Sequence, residues 1–232
     1  MTARPAYKEA LDAAPGTLTD RVYRHLADRL VAGRFAPGDK LALRGVAEAL
    51  GLSMMPVREA VSRLGAEGAL EVLPKRAVTV PLMRAATFRD ITRVRIAIEG
   101  TAAAMAAECR SAEMLALISS AEYAFRALGH APRPDLSGAV AANQAFHFAL
   151  YRAAGSEEMI AIIERLWLRV GPVINFDLRE NPERLRMGGA IRFHAEALAA
   201  VERGDGAAAS AAIAGDIESA ARFILSQGRL PD

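Results

Sequence analysis

The stretch at residues 50–61 decides how the N-terminal part of the chain folds; it reads Leu-Gly-Leu-Ser-Met-Met-Pro-Val-Arg-Glu-Ala-Val. Gly51 can end a short helix over about residues 44–50, because glycine readily adopts the left-handed conformation at which many helices end. Ser53 can then cap a second helix over about residues 54–67. The pattern therefore predicts two short helices joined by a tight turn.

The neighbouring segments extend this pair into a larger unit. Apolar residues recur at every fourth position between residues 18 and 30, which predicts an amphipathic helix before the pair. After the pair, residues 70–73 and 78–80 are β-prone and are separated by a short turn. We therefore predict a winged helix-turn-helix domain over residues 17–82, preceded by a flexible tail at residues 1–16.

The rest of the chain is predicted to be helical throughout. The β-prone runs end there, and apolar stripes at helical spacing take their place. Breaks rich in Gly, Pro and Asn divide the region into segments near residues 87–109, 111–129, 135–154, 156–178, 182–203 and 206–227. We therefore expect a mainly α fold, with an N-terminal winged helix-turn-helix and a C-terminal antiparallel six-helix bundle over residues 85–228.

Composition indicates a cytoplasmic protein with no membrane partner. No run approaches the roughly 20 uncharged apolar residues that a membrane span needs. Charged residues interrupt the N-terminal segment, so it lacks the apolar centre of a signal peptide. The single cysteine, Cys109, excludes an intramolecular disulfide framework and a site built from several thiolates.

The charges are distributed unevenly along the chain. Residues 1–84 carry 13 Lys and Arg against 9 Asp and Glu, whereas residues 85–232 carry 16 against 18. A basic N-terminal part and a slightly acidic remainder suit a module that contacts phosphate groups.

Five cationic side chains lie on the elements that would read DNA. Arg58 and Arg63 lie on the polar side of the second helix, Arg44 lies at the start of the first, and Lys75 and Arg76 lie at the wing tip. Arginine can bind O6 and N7 of guanine together, whereas a wing-tip lysine more often contacts phosphate. The cluster predicts double-stranded DNA as a partner, although any one of these arginines taken singly could equally be an ordinary solvated side chain.

Residues 18–81 resemble the DNA-binding domain of the GntR family of bacterial regulators. The resemblance rests on four stretches, at residues 36–41, 46–53, 56–61 and 64–70. The helical region that follows resembles the FCD-type sensor domain in its shorter, VanR-like version, within the FadR/VanR-like subfamily. The resemblance therefore covers nearly the whole chain.

This resemblance implies that Arg44 and Arg58 contact bases or phosphates. Most relatives carry Arg-Thr where this chain has Met54 and Met55 after Ser53. A methionine can pack against a thymine methyl group but cannot bind guanine in a bidentate manner. We therefore include all three of these residues in the predicted DNA contact and expect an operator different from the family's usual one.

Polar side chains on apolar stripes of the predicted bundle mark a sensor site. His147, His194 and Asp216 each lie on such a stripe, and Asn143 precedes His147 by one helical turn. Together they could present four ligands to Zn²⁺ or another divalent transition ion. The alternative is a pair of hydrogen-bonded core histidines without a metal.

The resemblance bears on this choice, since many FCD-type sensors hold a metal with one Asp and three His. Here Asn143 stands at the Asp position and Asp216 at the last His position, while His147 and His194 match. The candidate cofactor is a divalent transition metal, Zn²⁺ or Ni²⁺.

Arg95 is the predicted contact for an effector. It falls on the apolar stripe of its helix, where a cation needs an anionic partner. That partner would be the carboxylate of a small organic acid, as FCD-type relatives commonly sense, or a glutamate on another helix. The effector site is predicted to comprise Arg95 with Asn143, His147 and His194.

The leading interpretation is a homodimeric transcription regulator, acting as a repressor, that binds a pseudo-palindromic operator and responds to a small carboxylate. One alternative is a regulator whose bundle serves only for dimerisation. Another is a metal-dependent hydrolase that uses His147, His194 and Asp216. No nucleophile–base motif, phosphate-binding loop or His-Glu-x-x-His signature supports the enzyme, so we expect a protein that is not an enzyme.

Overall fold

The structure, a computed structural model, describes residues 15–73, 77–180, 183–187 and 189–232. Its N-terminal elements are α1 (Leu18–Val31), β1 (Lys40–Leu41), α2 (Leu43–Leu50), α3 (Met54–Ala66), β2 (Glu71–Val72) and β3 (Val78–Thr79). The remaining helices are α4 (Ala85–Cys109), α5 (Ala112–His130), α6 (Leu136–Arg152), α7 (Glu157–Glu180), α8 (Glu183–Met187), α9 (Ala190–Arg203) and α10 (Gly206–Ser226). The predicted class, a winged helix-turn-helix followed by a helical bundle, is confirmed.

Helix α1 begins at a capping box. The Thr17 hydroxyl accepts a hydrogen bond from the Asp20 amide at 3.2 Å, and the Asp20 carboxylate accepts one from the Thr17 amide at 3.0 Å. This reciprocal pair satisfies two amides that the helix itself cannot satisfy. The apolar face of α1 is buried against α3 and includes Val22, Leu26 and Leu30.

The turn between α2 and α3 has the predicted form, with one difference. Gly51 ends α2 with φ of 68°, a conformation that most side chains disfavour. Ser53 occupies the cap position of α3, but its hydroxyl makes no capping hydrogen bond. The expectation that the Ser53 side chain caps this helix was therefore wrong, and the exposed hydroxyl is not used within the helix.

The wing is a small antiparallel sheet in the order β1-β3-β2. Val78 and Thr79 of β3 pair with β1 on one side and β2 on the other, so β3 is the central strand. The predicted turn with Lys75 and Arg76 lies outside the described residues, as do residues 1–14 of the predicted tail.

The bundle differs from the prediction in one helix. The segment expected as one helix over residues 182–203 is divided into α8 and α9. Two consecutive glycines, Gly188 and Gly189, fall at the division, and each costs a helix about 1 kcal/mol relative to alanine. Within the bundle, α4 packs against α10, α9, α7 and α6.

The two parts of the chain share a packed seam between α1 and α7. A Cβ atom added at Gly171 would lie 2.6 Å from the Cα atom of Val31, and one added at Gly33 would lie 2.3 Å from the Phe176 amide nitrogen. Backbone therefore meets backbone at this seam, which only glycine allows. One apolar cluster runs through it and includes Leu30 and Trp167.

Within the described residues, no helix is both long and apolar enough to span a membrane.

Candidate DNA-binding surface and ligand cavity

The exposed side of α3 carries the predicted DNA contacts. Arg58 is exposed, as is Arg44 at the start of α2, and neither side chain makes a hydrogen bond or ion pair with a described residue. The first turn of α3 also presents amide N–H groups that its own helix leaves unpaired. This surface therefore offers free cationic side chains beside free backbone donors.

Met54 and Met55 lie in different environments. Met54 is partly buried and packs against the core, whereas Met55 is 65% exposed. Met55 is therefore the one whose side chain lies on the surface that also carries Arg58.

Arg63 faces a different direction from Arg58. Five residues along a helix correspond to a rotation of about 140°, so the two side chains leave α3 on different sides. The Arg63 guanidinium lies 3.9 Å from the centre of the Tyr23 ring and pairs with Asp20 at 3.4 Å and Glu67 at 3.6 Å. These contacts tie α3 to α1.

A cavity of about 280 Å³ lies within the helical bundle. Its walls combine apolar side chains with polar ones. The polar side chains are those of Arg95, Asn143, His147, Trp167, Asn175, Arg184, Asp216, Ser219 and Arg222. The described lining residues include three arginines and one carboxylate, but Arg95 and Arg184 are paired with Glu99 and Asp177. Arg222 is therefore the lining arginine that offers unbalanced positive charge to an anionic occupant.

Three predicted metal ligands lie together, and two of them, His147 and Asp216, line this cavity. Asp216 Oδ2 lies 3.3 Å from His147 Nε2 and 3.8 Å from His194 Nε2, and the three ligand atoms lie within 4.8 Å of one another. All three residues are buried. Asn143, one turn before His147, lines the same cavity and is the fourth predicted ligand.

The tautomer of His147 follows from its hydrogen bonds. The Tyr151 hydroxyl donates its one proton to Glu99 Oε2 at 2.6 Å, so at 2.9 Å from His147 Nδ1 it must accept. His147 Nδ1 therefore carries the proton, and in the neutral ring Nε2 presents a lone pair to the Asp216 carboxylate. Two facing lone pairs at 3.3 Å require a cation between them, either a proton or a metal ion.

His194 is the second indication of a missing partner. It is completely buried, and neither of its ring nitrogens has a hydrogen-bond partner among the described residues. A buried polar group without a partner costs free energy, and a metal ion would satisfy it. The alternative interpretation, in which both core histidines are hydrogen-bonded and no metal is present, therefore fits His147 but does not fit His194.

The electrostatics of the three residues agree with cation binding. Burial alone would raise the pKa of Asp216, but the two imidazoles that face its carboxylate, those of His147 and His194, outweigh that effect and hold the pKa below its usual value. Burial lowers the pKa of His194, although Asp216 opposes the shift. An ionised carboxylate beside a neutral imidazole is the form in which both bind a metal.

The donor set fits a transition ion. Ligands about 2.0–2.1 Å from a tetrahedral Zn²⁺ lie roughly 3.3 Å apart. Asp216 Oδ2 has this separation from His147 Nε2, at 3.3 Å, and a longer one from His194 Nε2, at 3.8 Å. Three protein ligands at a cavity would leave a coordination position for another molecule. The residues present therefore suit Zn²⁺ or Ni²⁺.

Arg95 is paired within its own helix. Its guanidinium donates to both carboxylate oxygens of Glu99, at 2.6 Å and 3.3 Å, and both side chains are buried. The predicted glutamate partner exists, but it lies one turn along α4 rather than on another helix. Arg95 nevertheless lines the cavity.

Sequence reasoning missed the residues that support this site. Glu99 accepts hydrogen bonds from Arg95, Tyr151 and Trp167, three side chains on three helices. Its spacing of four residues from Arg95 was the available signal, because such residues adjoin on one helix face. Asn175 and Arg184 gave no comparable pattern.

Comparisons with known proteins agree with this architecture. Residues 18–80 match the bacterial regulatory proteins of the gntR family, and residues 90–219 match the FCD domain. The HTH-type transcriptional regulator McbR of Escherichia coli (strain K12) is 33% identical over 73% of this chain and 76% of its own. The HTH-type transcriptional repressor RspR of the same organism is 27% identical over 84% of each chain.

A solved structure, E. coli McbR/YncC, superimposes with a TM-score of 0.85 at 29% identity and covers 93% of this chain and 100% of its own. The fold and the exposed helix α3 thus define a DNA-binding transcriptional regulator. The chain belongs to the GntR family and carries an FCD domain.

Proposed function

We propose that this regulator is a repressor whose operator affinity is controlled by a small organic acid bound in the bundle cavity. Residues 17–82 would form the DNA-binding domain, and residues 85–228 the effector-binding and dimerisation domain. The observation that carries the proposal is the cavity itself, whose lining includes arginines together with His147 and Asp216, two members of the group that His194 completes.

The proposed DNA contacts are the exposed groups of α2 and α3 together with the wing tip. Arg58 and Met55 would face the major groove, while Arg44 and the Ser53 hydroxyl would lie near phosphates. The wing-tip cations, Lys75 and Arg76, would contact phosphate or the minor groove. Met54 and Arg63 would hold α3 in position within the domain, because Met54 packs against the core and Arg63 pairs with Asp20.

The effector is proposed to be a carboxylate that binds near the metal group. His147, His194 and Asp216 would hold Zn²⁺ or Ni²⁺, with Asn143 as a fourth ligand. When bound, the metal would supply a coordination position to an anion where the anion replaces Asn143, the weaker donor of the four. Arg95 would contact the effector from the same wall, since it lines the cavity, with its own charge already balanced by Glu99.

A homodimer would place two α3 helices on the two halves of a pseudo-palindromic operator. Repression is supported by RspR, which is named a transcriptional repressor. The place of action would be the bacterial cytoplasm, where chromosomal DNA lies.

The DNA proposal is tested by selecting bound duplexes from a random library and measuring their affinity by fluorescence anisotropy. Loss of one bidentate base contact costs about 1–3 kcal/mol, so Arg58→Ala should weaken binding on the order of 5- to 150-fold. The control is Arg165→Ala, which removes an exposed arginine of α7. Equal affinities for the two variants would contradict the assignment of α3.

The effector proposal is tested on the purified full chain by elemental analysis and by calorimetric titration with organic acids. Bound metal and acid binding are expected. A chain that binds neither would instead favour a bundle used only for dimerisation.

A further inference from the structure

Asn175 joins the ligand cavity to the DNA-binding domain. It lies on α7, is 1% exposed, and lines the cavity. Its Nδ2 donates a hydrogen bond to the backbone carbonyl of Val31 at 2.5 Å. Val31 is the last residue of α1, where carbonyls have no partner within their own helix. A side chain of the bundle therefore supplies the hydrogen bond that the last carbonyl of α1, in the DNA-binding domain, does not obtain within its own helix.

This hydrogen bond fixes the orientation of the amide. A backbone carbonyl can only accept, so the nitrogen of Asn175 must face Val31 and its oxygen must be turned away. The Oδ1 atom is buried and has no hydrogen-bond partner among the described residues. Since buried acceptors are rarely left unsatisfied, this oxygen is available to a donor that the described part of the chain does not supply.

The surroundings hold Asn175 in place. The preceding carbonyl, that of Ile174, accepts a hydrogen bond from Arg184 Nη1 at 2.8 Å, and Arg184 also pairs with Asp177 at 3.0 Å. On the other side, Gly171 and Gly33 bring the backbones of α7 and the α1 end into direct contact. A shift of the Asn175 side chain would therefore displace the Val31 backbone directly.

We propose that Asn175 Oδ1 accepts a hydrogen bond from a donor group on the effector, so that the effector is an organic acid bearing a hydroxyl or amino group. The inference rests on the proposed function, because it refines the class of acid bound in that cavity. A carboxylate alone offers only lone pairs to an acceptor oxygen, whereas a hydroxyl or ammonium group supplies the proton. Asn175 is thus a specificity residue that touches both the ligand and the DNA-binding domain.

The test uses matched acids that differ in one substituent. Succinate, malate and aspartate carry hydrogen, hydroxyl and ammonium at the same carbon, and acetate, glycolate and glycine form a smaller series. Their affinities for the full chain, purified with Zn²⁺, are measured by calorimetric titration. In at least one series, the wild type should bind a donor-bearing member about threefold to tenfold more tightly than the unsubstituted acid.

Variants assign that preference to Asn175. Asn175→Ala removes the acceptor and should abolish the preference. Asn175→Asp keeps acceptor oxygens and should retain the preference, although its absolute affinity falls and it can no longer donate to Val31. The matched control, Arg165→Ala, changes an exposed side chain on the same helix and should keep the wild-type ratio. The ratio of affinities is decisive, because a merely structural role would change all members of a series alike.

The possible results distinguish failure of the Asn175 assignment from failure of the proposed carboxylate sensing. If acids bind the wild type without preferring a donor, or if Asn175→Ala keeps the preference, the effector class stands and the Asn175 assignment is overturned. If no acid of either series binds the wild type, the proposed carboxylate sensing fails and the assignment fails with it. Because the wild-type ratio alone can overturn the inference, a variant that does not fold leaves it falsifiable.

Discussion

The buried ion pair between Arg95 and Glu99 should be far more important to stability than an exposed pair of the same type. The change is Glu99→Gln, which keeps the side-chain size but removes the charge that neutralises Arg95. Glu99 is 0% exposed and Arg95 is 6% exposed, so neither charge can regain hydration while the fold persists. Breaking a buried pair in this way costs about 3–5 kcal/mol, because the remaining charge stays buried without its partner.

The matched control is an exposed pair with the same spacing and order. Arg192 and Glu196 of α9 lie 2.7 Å apart, but their side chains are 62% and 48% exposed. Glu196→Gln should therefore change the free energy of unfolding by at most about 1 kcal/mol. Both variants and the wild type are compared by urea unfolding followed by far-UV circular dichroism.

In a thermal scan the same difference should lower the Tm of Glu99→Gln by roughly 6–20 °C, since 1 kcal/mol corresponds to about 2–4 °C in a chain of this size. Equal losses for the buried and exposed single variants would refute the argument from burial.

Three further predictions concern the seam, the metal group and the DNA surface. Gly171→Ala should destabilise the chain by about 1–3 kcal/mol in urea unfolding, because its Cβ would lie 2.6 Å from the Val31 Cα atom; Gly45→Ala, whose Cβ meets only ordinary contacts, should not. Asp216→Ala should lose the metal measured by elemental analysis after dialysis, whereas His130→Ala, at an exposed histidine, should retain it; equal metal content in the two would contradict the proposed ligands. Arg44→Ala should reduce the dependence of operator affinity on salt, by a slope of about 1, and an unchanged slope would place Arg44 away from the DNA backbone.

The helices were predictable because their signals are local. The spacing of apolar residues and the glycine at residue 51 each act within a few residues, and both are found in the structure. The division between α8 and α9 was missed because the apolar stripe continues across it. The break is set by the two glycines, which the stripe does not reveal.

The site was only partly predictable, for a physical reason. His147, His194 and Asp216 could be chosen because polar groups on apolar stripes need partners. Their supporting residues depend on how helices pack: the proton on His147 Nδ1 is fixed through Tyr151 by Glu99, which comes from a different helix. Asn175 depends on contact between two domains, which no local pattern encodes.

The first turns of α3 are proposed to contact DNA. This contact is tested by hydrogen–deuterium exchange of the full chain, with and without a selected operator duplex. In the complex, slower exchange is expected at the amides within residues 53–58 other than Pro56, which has none, with little change in α5. Unchanged exchange at residues 53–58 alongside protection confined to the bundle would contradict it.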